Sequence, residues 1–263
     1  MRAPPIGLAF PDLLGSTGEG CKIPGPASPH TSPESRTASR AACFEAQDLA
    51  CIRGERPVFA GVSFRLEPGG ALALVGPNGS GKSSLLRILC GLLRMAGGTL
   101  TWDGAPVEAD WPAHRSRLHY VGHLDAVKPT LTVAENLESW ARFRGAARAA
   151  AGALEALGIE GLADVPGRYL SAGQRRRLAL ARVLATPAPL WLLDEPTVTL
   201  DAEAAARVAA MIAAHRADGG MAIVATHGEI ALDGAGRLDL GDRAVPAGMP
   251  MAAGDEESEE EQW

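Results

Sequence analysis

The chain has 263 residues and is 46% hydrophobic, enough to bury one sizeable core or one and a half. Its formal charge of -6 is uneven: residues 255–261 hold six acidic side chains and no basic one, and the middle of the chain is near neutral. This excludes a whole-domain basic face for nucleic acid. No apolar run approaches the ~18 residues that cross a bilayer, and prolines and glycines interrupt any signal-peptide core in residues 1–20.

In chain order, residues 1–42 are rich in Pro, Gly, Ser and Thr. They read as a disordered extension or as the product of an upstream start. A folded domain is expected over 43–245. Val62, Phe64 and Leu66 alternate with polar or small residues, as a half-buried strand does. An apolar strand at 71–75 leads through a glycine-rich loop into a helix bearing Leu85, Leu86 and Leu89. The pattern then predicts a strand at 118–121 and helices at 132–144, 146–157 and 172–185. It continues with a strand at 190–193, a helix at 202–215 and a strand at 221–226. Residues 246–263 read as an acidic, solvated tail. Strands alternating with helices imply an α/β fold with a largely parallel sheet. A helix-rich block from about 125 to 180 interrupts that rhythm as a small subdomain. Cys21, Cys43, Cys51 and Cys90 lack metal-ligand spacing and read as reduced thiols.

The strongest chemical signal is Gly76-Pro77-Asn78-Gly79-Ser80-Gly81-Lys82-Ser83, followed by Ser84, between a strand and a helix. The pattern G-x-x-x-x-G-K-[ST] in that setting is a phosphate loop. Its backbone N–H groups and the helix start face phosphate oxygens. Lys82 is placed to reach the β- and γ-phosphates of ATP, and Ser83 to bind Mg²⁺. Lys82 is one of three lysines in a chain that otherwise uses arginine. A second signal is the apolar run 190–193 ending in Asp194-Glu195. It fits a Walker B strand, with Asp194 on the metal and Glu195 orienting or deprotonating the attacking water. A third is Leu170-Ser171-Ala172-Gly173-Gln174, then three arginines. Ser171 is a good helix N-cap and Gly173 permits close backbone approach. The arginines read as a solvated helix face.

The order of these three motifs resembles the ABC ATPase family over residues 44–245. The resemblance implies a P-loop NTPase cassette with a RecA-like mixed or parallel sheet core, an antiparallel β part and a small helical subdomain. It also implies a homodimer in the ATP-bound state, with Ser171, Gly173 and Gln174 of one chain facing ATP on the other. By the same resemblance Asp201 belongs to a loop that touches the partner, and His227 is a switch histidine on the γ-phosphate. Where the family commonly has a glutamine near the metal, this sequence has His123. A neutral imidazole can hold a water there, but its protonation opposes Mg²⁺.

Tyr120-Val-Gly-His123, Lys128-Pro-Thr-Leu-Thr132, Glu135-Asn-Leu137 and the stretch from Leu49 to Phe59 resemble, more narrowly, the CcmA family of cytochrome c biogenesis ATPases. That resemblance implies a haem-exporting or chaperone-releasing system. Its partners are a CcmB-like integral membrane subunit and other cytochrome c maturation proteins, with the chain peripheral on the cytoplasmic face of the bacterial inner membrane. An ABC ATPase serving another cargo stays open. Cys51 and Ile52 lie where the family usually places an adenine-stacking aromatic, so the adenine contact is expected to be apolar or to come from elsewhere. No haem-attachment Cys-x-x-Cys-His is present.

Overall fold

A computed structural model describes residues 43–145, 150–227, 230 and 232–243. The readings for residues 1–42 and 246–263, and for Cys21, lie outside them.

The described chain opens with a hairpin of β1 (Phe44–Arg53) and β2 (Arg56–Leu66). Next come β3 (Ala71–Val75), α1 (Lys82–Leu89), β4 (Gly97–Trp102), β5 (Ala105–Pro106), α2 (Trp111–Ser116) and β6 (Leu118–Val121). A helical stretch follows with α3 (Val133–Phe143), α4 (Ala150–Ala156) and α5 (Ala172–Ala185). The chain then alternates through β7 (Leu190–Asp194), α6 (Ala202–Ala217), β8 (Met221–Ala225) and β9 (Gly236–Asp239).

Two sheets result. One is antiparallel, in the order β2-β1-β4-β5; the other is parallel, in the order β6-β7-β8-β3-β9. The inner strands β7 and β8 are buried on both faces, which is why they read as apolar runs rather than alternations, whereas the edge strand β9 is largely exposed. Successive residues split between two cores. Leu190 and Leu192 join the core shared with α1 and the antiparallel sheet. Trp191 and Leu193 join the one filled by α3, α4, α5 and α6.

The α/β reading therefore holds, and the helix at 172–185 and the strands at 71–75 and 118–121 fall at the expected residues. Of the antiparallel sheet, only the end of β2 was legible. β1 carries register shifts between Ala46 and Leu49, Leu49 and Cys51, and Cys51 and Ile52, with Asp48 at φ 50°. Each shift breaks the period-2 pattern that marks a strand.

The sheet order places the chemistry. β8 lies between β7 and β3, and parallel strands present their carboxyl ends at one edge. Residues 76–83, 194–195 and 226–227 are therefore neighbours in space.

Candidate active site

Lys82 begins α1 with Gly81 as its N-cap, at φ 99°. That left-handed conformation suits glycine. A Cβ at Gly81 would also lie 2.8 Å from atoms of Val58 and Phe59, so β2 seats the loop from below. Lys82 is 6% exposed. Its Nζ donates to the carbonyl oxygens of Gly76 at 2.8 Å and Pro77 at 3.2 Å, bracing the loop from inside. Above it opens a cleft of about 310 Å³ lined by Asn78, Gly79, Gly81, Lys82, Ser83, Ser84 and Glu195. Gly76 and Pro77 do not line it; they hold Lys82. Ser80 is buried beneath the loop, its Oγ without a hydrogen-bond partner.

Asp194 ends β7 at 2% exposure. Ser83 Oγ donates to its Oδ1 at 3.1 Å, while its Oδ2 is buried without a hydrogen-bond partner. Burial pushes the carboxyl above its ordinary range; the Ser83 hydrogen bond opposes that shift and the neighbouring Glu195 adds to it. An orphaned carboxylate oxygen beside a serine hydroxyl is a hard-oxygen pair that fits Mg²⁺. This ion usually takes one or two protein oxygens and keeps the rest of its shell for phosphates and water. No group of three or more His, Cys, Asp or Glu gathers around a candidate metal position among the described residues.

Glu195 leaves the strand in the left-handed region at φ 48°. Its N–H donates to Ala225 O on β8 at 3.0 Å. Its Oε1 stands 2.9 Å from His227 Nε2, joining the ends of β7 and β8. Both side chains are partly exposed, at 24% and 38%, so the pair faces the cleft wet enough to meet a water. A carboxylate held by an imidazole next to a phosphate cradle can orient or deprotonate a water for in-line attack.

The remaining sequence-picked residues lie apart from this cleft. Ser171 caps α5: its Oγ accepts from Gln174 N at 3.2 Å, and Gln174 Oε1 accepts from Ser171 N at 2.8 Å. This capping box leaves the helix start exposed. Gly173 is required by its own chain, since a Cβ there would lie 2.9 Å from Thr199 O. Asp201 Oδ1 caps α6 by accepting from Ala204 N at 2.8 Å. His123 is exposed in the segment after β6, on the side of Asp194.

Cys51 is fully buried, its thiol beside Ser84, because it faces the core from β1; Ile52 is the exposed member of that pair, so an apolar contact at this position falls to Ile52. One expectation is corrected. The arginine run is not a solvated face. Arg175 Nη1 donates to Leu170 O at 2.6 Å and Arg177 Nη1 to Gly158 O at 3.0 Å. Arg176 is 4% exposed, and both of its terminal nitrogens donate to two acceptors each. Its Nη1 donates to Gly122 O at 2.7 Å and Asp125 Oδ1 at 3.2 Å; its Nη2 donates to Asp194 O and, at 3.0 Å, Glu195 O. The missed signal was helical spacing. Arg176, Leu180 and Val183 repeat at i, i+4 and i+7, which puts Arg176 on the apolar stripe of α5.

The family model for the ABC transporter matches residues 59–198, from β2 through Asp194-Glu195. The chain belongs to the ABC transporter family, as an ATP-binding subunit. Among its relatives, the cytochrome c biogenesis ATP-binding export protein CcmA of Rhodospirillum rubrum is 58% identical over 200 residues, 76% of this chain and 86% of that protein. The CcmA of Paramagnetospirillum magneticum is 53% identical over 212 residues, 79% of this chain and 98% of that protein. A putative ABC transporter ATP-binding protein from Pyrococcus furiosus superposes with a TM-score of 0.69 at 24% identity. That match covers 77% of this chain and all of that one, and it shows the shared ABC fold. No helix among the described residues is long and apolar enough to cross a membrane.

Proposed function

We propose that this chain hydrolyses ATP as the ATP-binding subunit of a cytochrome c biogenesis exporter. The observation that carries the ATPase reading is the continuous array Ser83–Asp194–Glu195–His227 at the mouth of the phosphate loop. The biogenesis role rests on the 58% and 53% identity to proteins named for it. In this reading residues 43–245 are the working cassette and about 125–180 its helical part.

ATP lies with its phosphates on backbone N–H groups of the loop from Asn78 to Ser83. Lys82 exchanges its contacts with Gly76 and Pro77 for the β- and γ-phosphates, so the free loop is already shaped for the charge it will receive. Ser83 and Asp194 would hold Mg²⁺, which would supply charge neutralisation to the phosphates. Glu195 directs a water at the γ-phosphorus; His227 orients that carboxylate and stands at the γ-phosphate. His123 is the remaining polar candidate on the metal side.

The exposed N-terminus of α5, with Ser171, Gly173 and Gln174, suits the γ-phosphate of an ATP held by a second copy, and Asp201 lies in the segment that meets that copy. The ATP-bound state is therefore a homodimer that closes on two nucleotides. A membrane subunit of the CcmB kind takes up the motion from the cytoplasmic side of the inner membrane. The cleft lined by Asp125, Val127, Trp140 and Phe143 supports this, with Phe143 81% exposed and Leu124, next to Asp125 in the chain, 82% exposed.

The test is to tag the chain in its native membrane and identify the integral membrane protein that co-purifies. A cytochrome c maturation subunit is expected. A permease for another cargo would overturn the biogenesis role while leaving the ATPase chemistry in place.

A further inference from the structure

Arg176 belongs to none of the three nucleotide motifs, yet it is the most heavily engaged side chain near the site. It is a buried guanidinium with a single carboxylate partner, Asp125, at 3.2 Å. Its other acceptors are backbone carbonyls from two separate segments. Gly122 O, at 2.7 Å, adjoins His123 after β6; Asp194 O and Glu195 O end β7. Only a planar fork can serve acceptors in these two directions at once. Burying a cation is costly unless every donor finds a partner, so a structural need alone would be met as well by an apolar residue on this stripe.

The backbone it grips is unusual. Glu195 is a non-glycine residue at φ 48°, and its carbonyl is one of the bonded acceptors. A residue persists in that region only when its surroundings hold it there. That conformation swings the Glu195 side chain off the line of β7 toward His227 and the phosphate cleft. The same guanidinium sits on α5, whose exposed start is Ser171.

We propose that Arg176 is a positioning residue. Its guanidinium fork holds the carbonyls of Asp194 and Glu195, and ties them to segment 122–125 and to α5, so that the Glu195 carboxylate stands ready for the attacking water. The inference rests on the ATPase reading above. It adds that the aim of Glu195 is set from α5 rather than by β7 alone, and that any shift of α5 is felt at the hydrolytic carboxylate.

The experiment compares steady-state ATP hydrolysis and fluorescent-ATP binding in the full chain for the parent, Glu195→Gln, Arg176→Gln and Arg176→Lys. Both Arg176 variants are expected to bind ATP like the parent, with KM little changed. Their kcat should fall about 10- to 100-fold, the usual effect of losing the group that orients a working side chain. Lysine, a point charge without the fork, should not restore the rate. Parent kcat in a folded Arg176→Gln or Arg176→Lys protein overturns the inference, and so does a kcat loss matched by an equal loss of ATP binding. If Arg176→Gln does not fold, Asp125→Asn carries the test, because it keeps the fork but frees one prong. A kcat loss at constant KM is expected there, and parent kcat overturns the proposal. Glu195→Gln separates the two levels: parent turnover in that control removes the ATPase reading itself. An inactive Glu195→Gln beside fully active Arg176 variants removes only the role of Arg176.

Discussion

The two ends of the parallel sheet use the same residue type in opposite ways. At the carboxyl ends, His227 is 38% exposed and holds Glu195 across the strand gap. At the amino ends, His119 on β6 is 3% exposed and its Nε2 lies 2.7 Å from Thr186 O. Burial pushes the His119 pKa down to about 4, so the ring stays neutral at ordinary pH. Nearby, His215 stacks flat on Trp191 with ring centroids 3.8 Å apart. One end leaves polar atoms open and backbone out of its ordinary wells; the other closes every histidine into packing. Position along the strand, not residue type, separates chemistry from architecture.

The sharpest way to break this contrast is at Glu195. Replacing it by Gln keeps the size and the left-handed backbone but removes the base. ATP turnover should fall about 10²- to 10⁴-fold, and an ATP-bound dimer should accumulate on a sizing column. Turnover at the parent rate would return Glu195 to the class of solvated strand ends.

At the opposite end, His119→Gln should leave ATP turnover intact and change acid stability. The ring takes up a proton near pH 6.5 when unfolded and only near pH 4 when folded. Its contribution is therefore full above pH 6.5 and lost as pH falls toward 4, because the unfolded chain binds the proton first. Over that window the parent should lose up to about 3 kcal/mol that the variant does not. Urea titrations at several pH values measure the difference; parallel slopes for the two proteins would mean that His119 already titrates in the folded state.

Lys82→Ala tests the open end with a smaller effect. One charge-assisted contact of roughly 1.5–3 kcal/mol is lost, so ATP binding should weaken by about tenfold or more while the fold survives. Unchanged affinity in a fluorescent-nucleotide titration would confine Lys82 to its bracing of Gly76 and Pro77.

The same contrast explains what could be read from sequence. The open end was legible because phosphate chemistry fixes residue types at fixed spacing: Gly81-Lys82-Ser83 and Asp194-Glu195 stand out in any order of assembly. Four of the five parallel strands, β3, β6, β7 and β8, were legible because burial makes near-continuous apolar runs; β9, Gly236–Asp239, was missed because this edge strand is polar and largely exposed. β1 was not, since its bulges break the alternation. Arg176 was hidden by its neighbours. Three arginines in a row suggest solvent, and only the register of α5 tells which of them points inward. Gly173 was singled out, but for a ligand-facing reason. Its constraint is the Thr199 carbonyl 2.9 Å from where a Cβ would stand, a contact between segments far apart in the chain. Sequence spacing exposes contacts within one element and conceals those between elements.

The finest test lies between the two ends, at the helix starts. α3 and α5 begin with the same capping box, Thr132 with Glu135 and Ser171 with Gln174. As caps the two are equivalent, and Thr132→Ala and Ser171→Ala should each cost about 1 kcal/mol of stability. In the proposed dimer they differ, because only the start of α5 meets a phosphate of the second copy. Alanine confounds the two roles, but aspartate separates them. Ser171→Asp keeps a strong cap, so stability should match the parent, yet it sets a negative charge where the γ-phosphate arrives. ATP-dependent dimerisation of Glu195→Gln protein should then disappear with Ser171→Asp and persist with Thr132→Ala. Dimerisation that survives Ser171→Asp would make Ser171 a cap and nothing more, the counterpart of Thr132 two helices earlier in the same core.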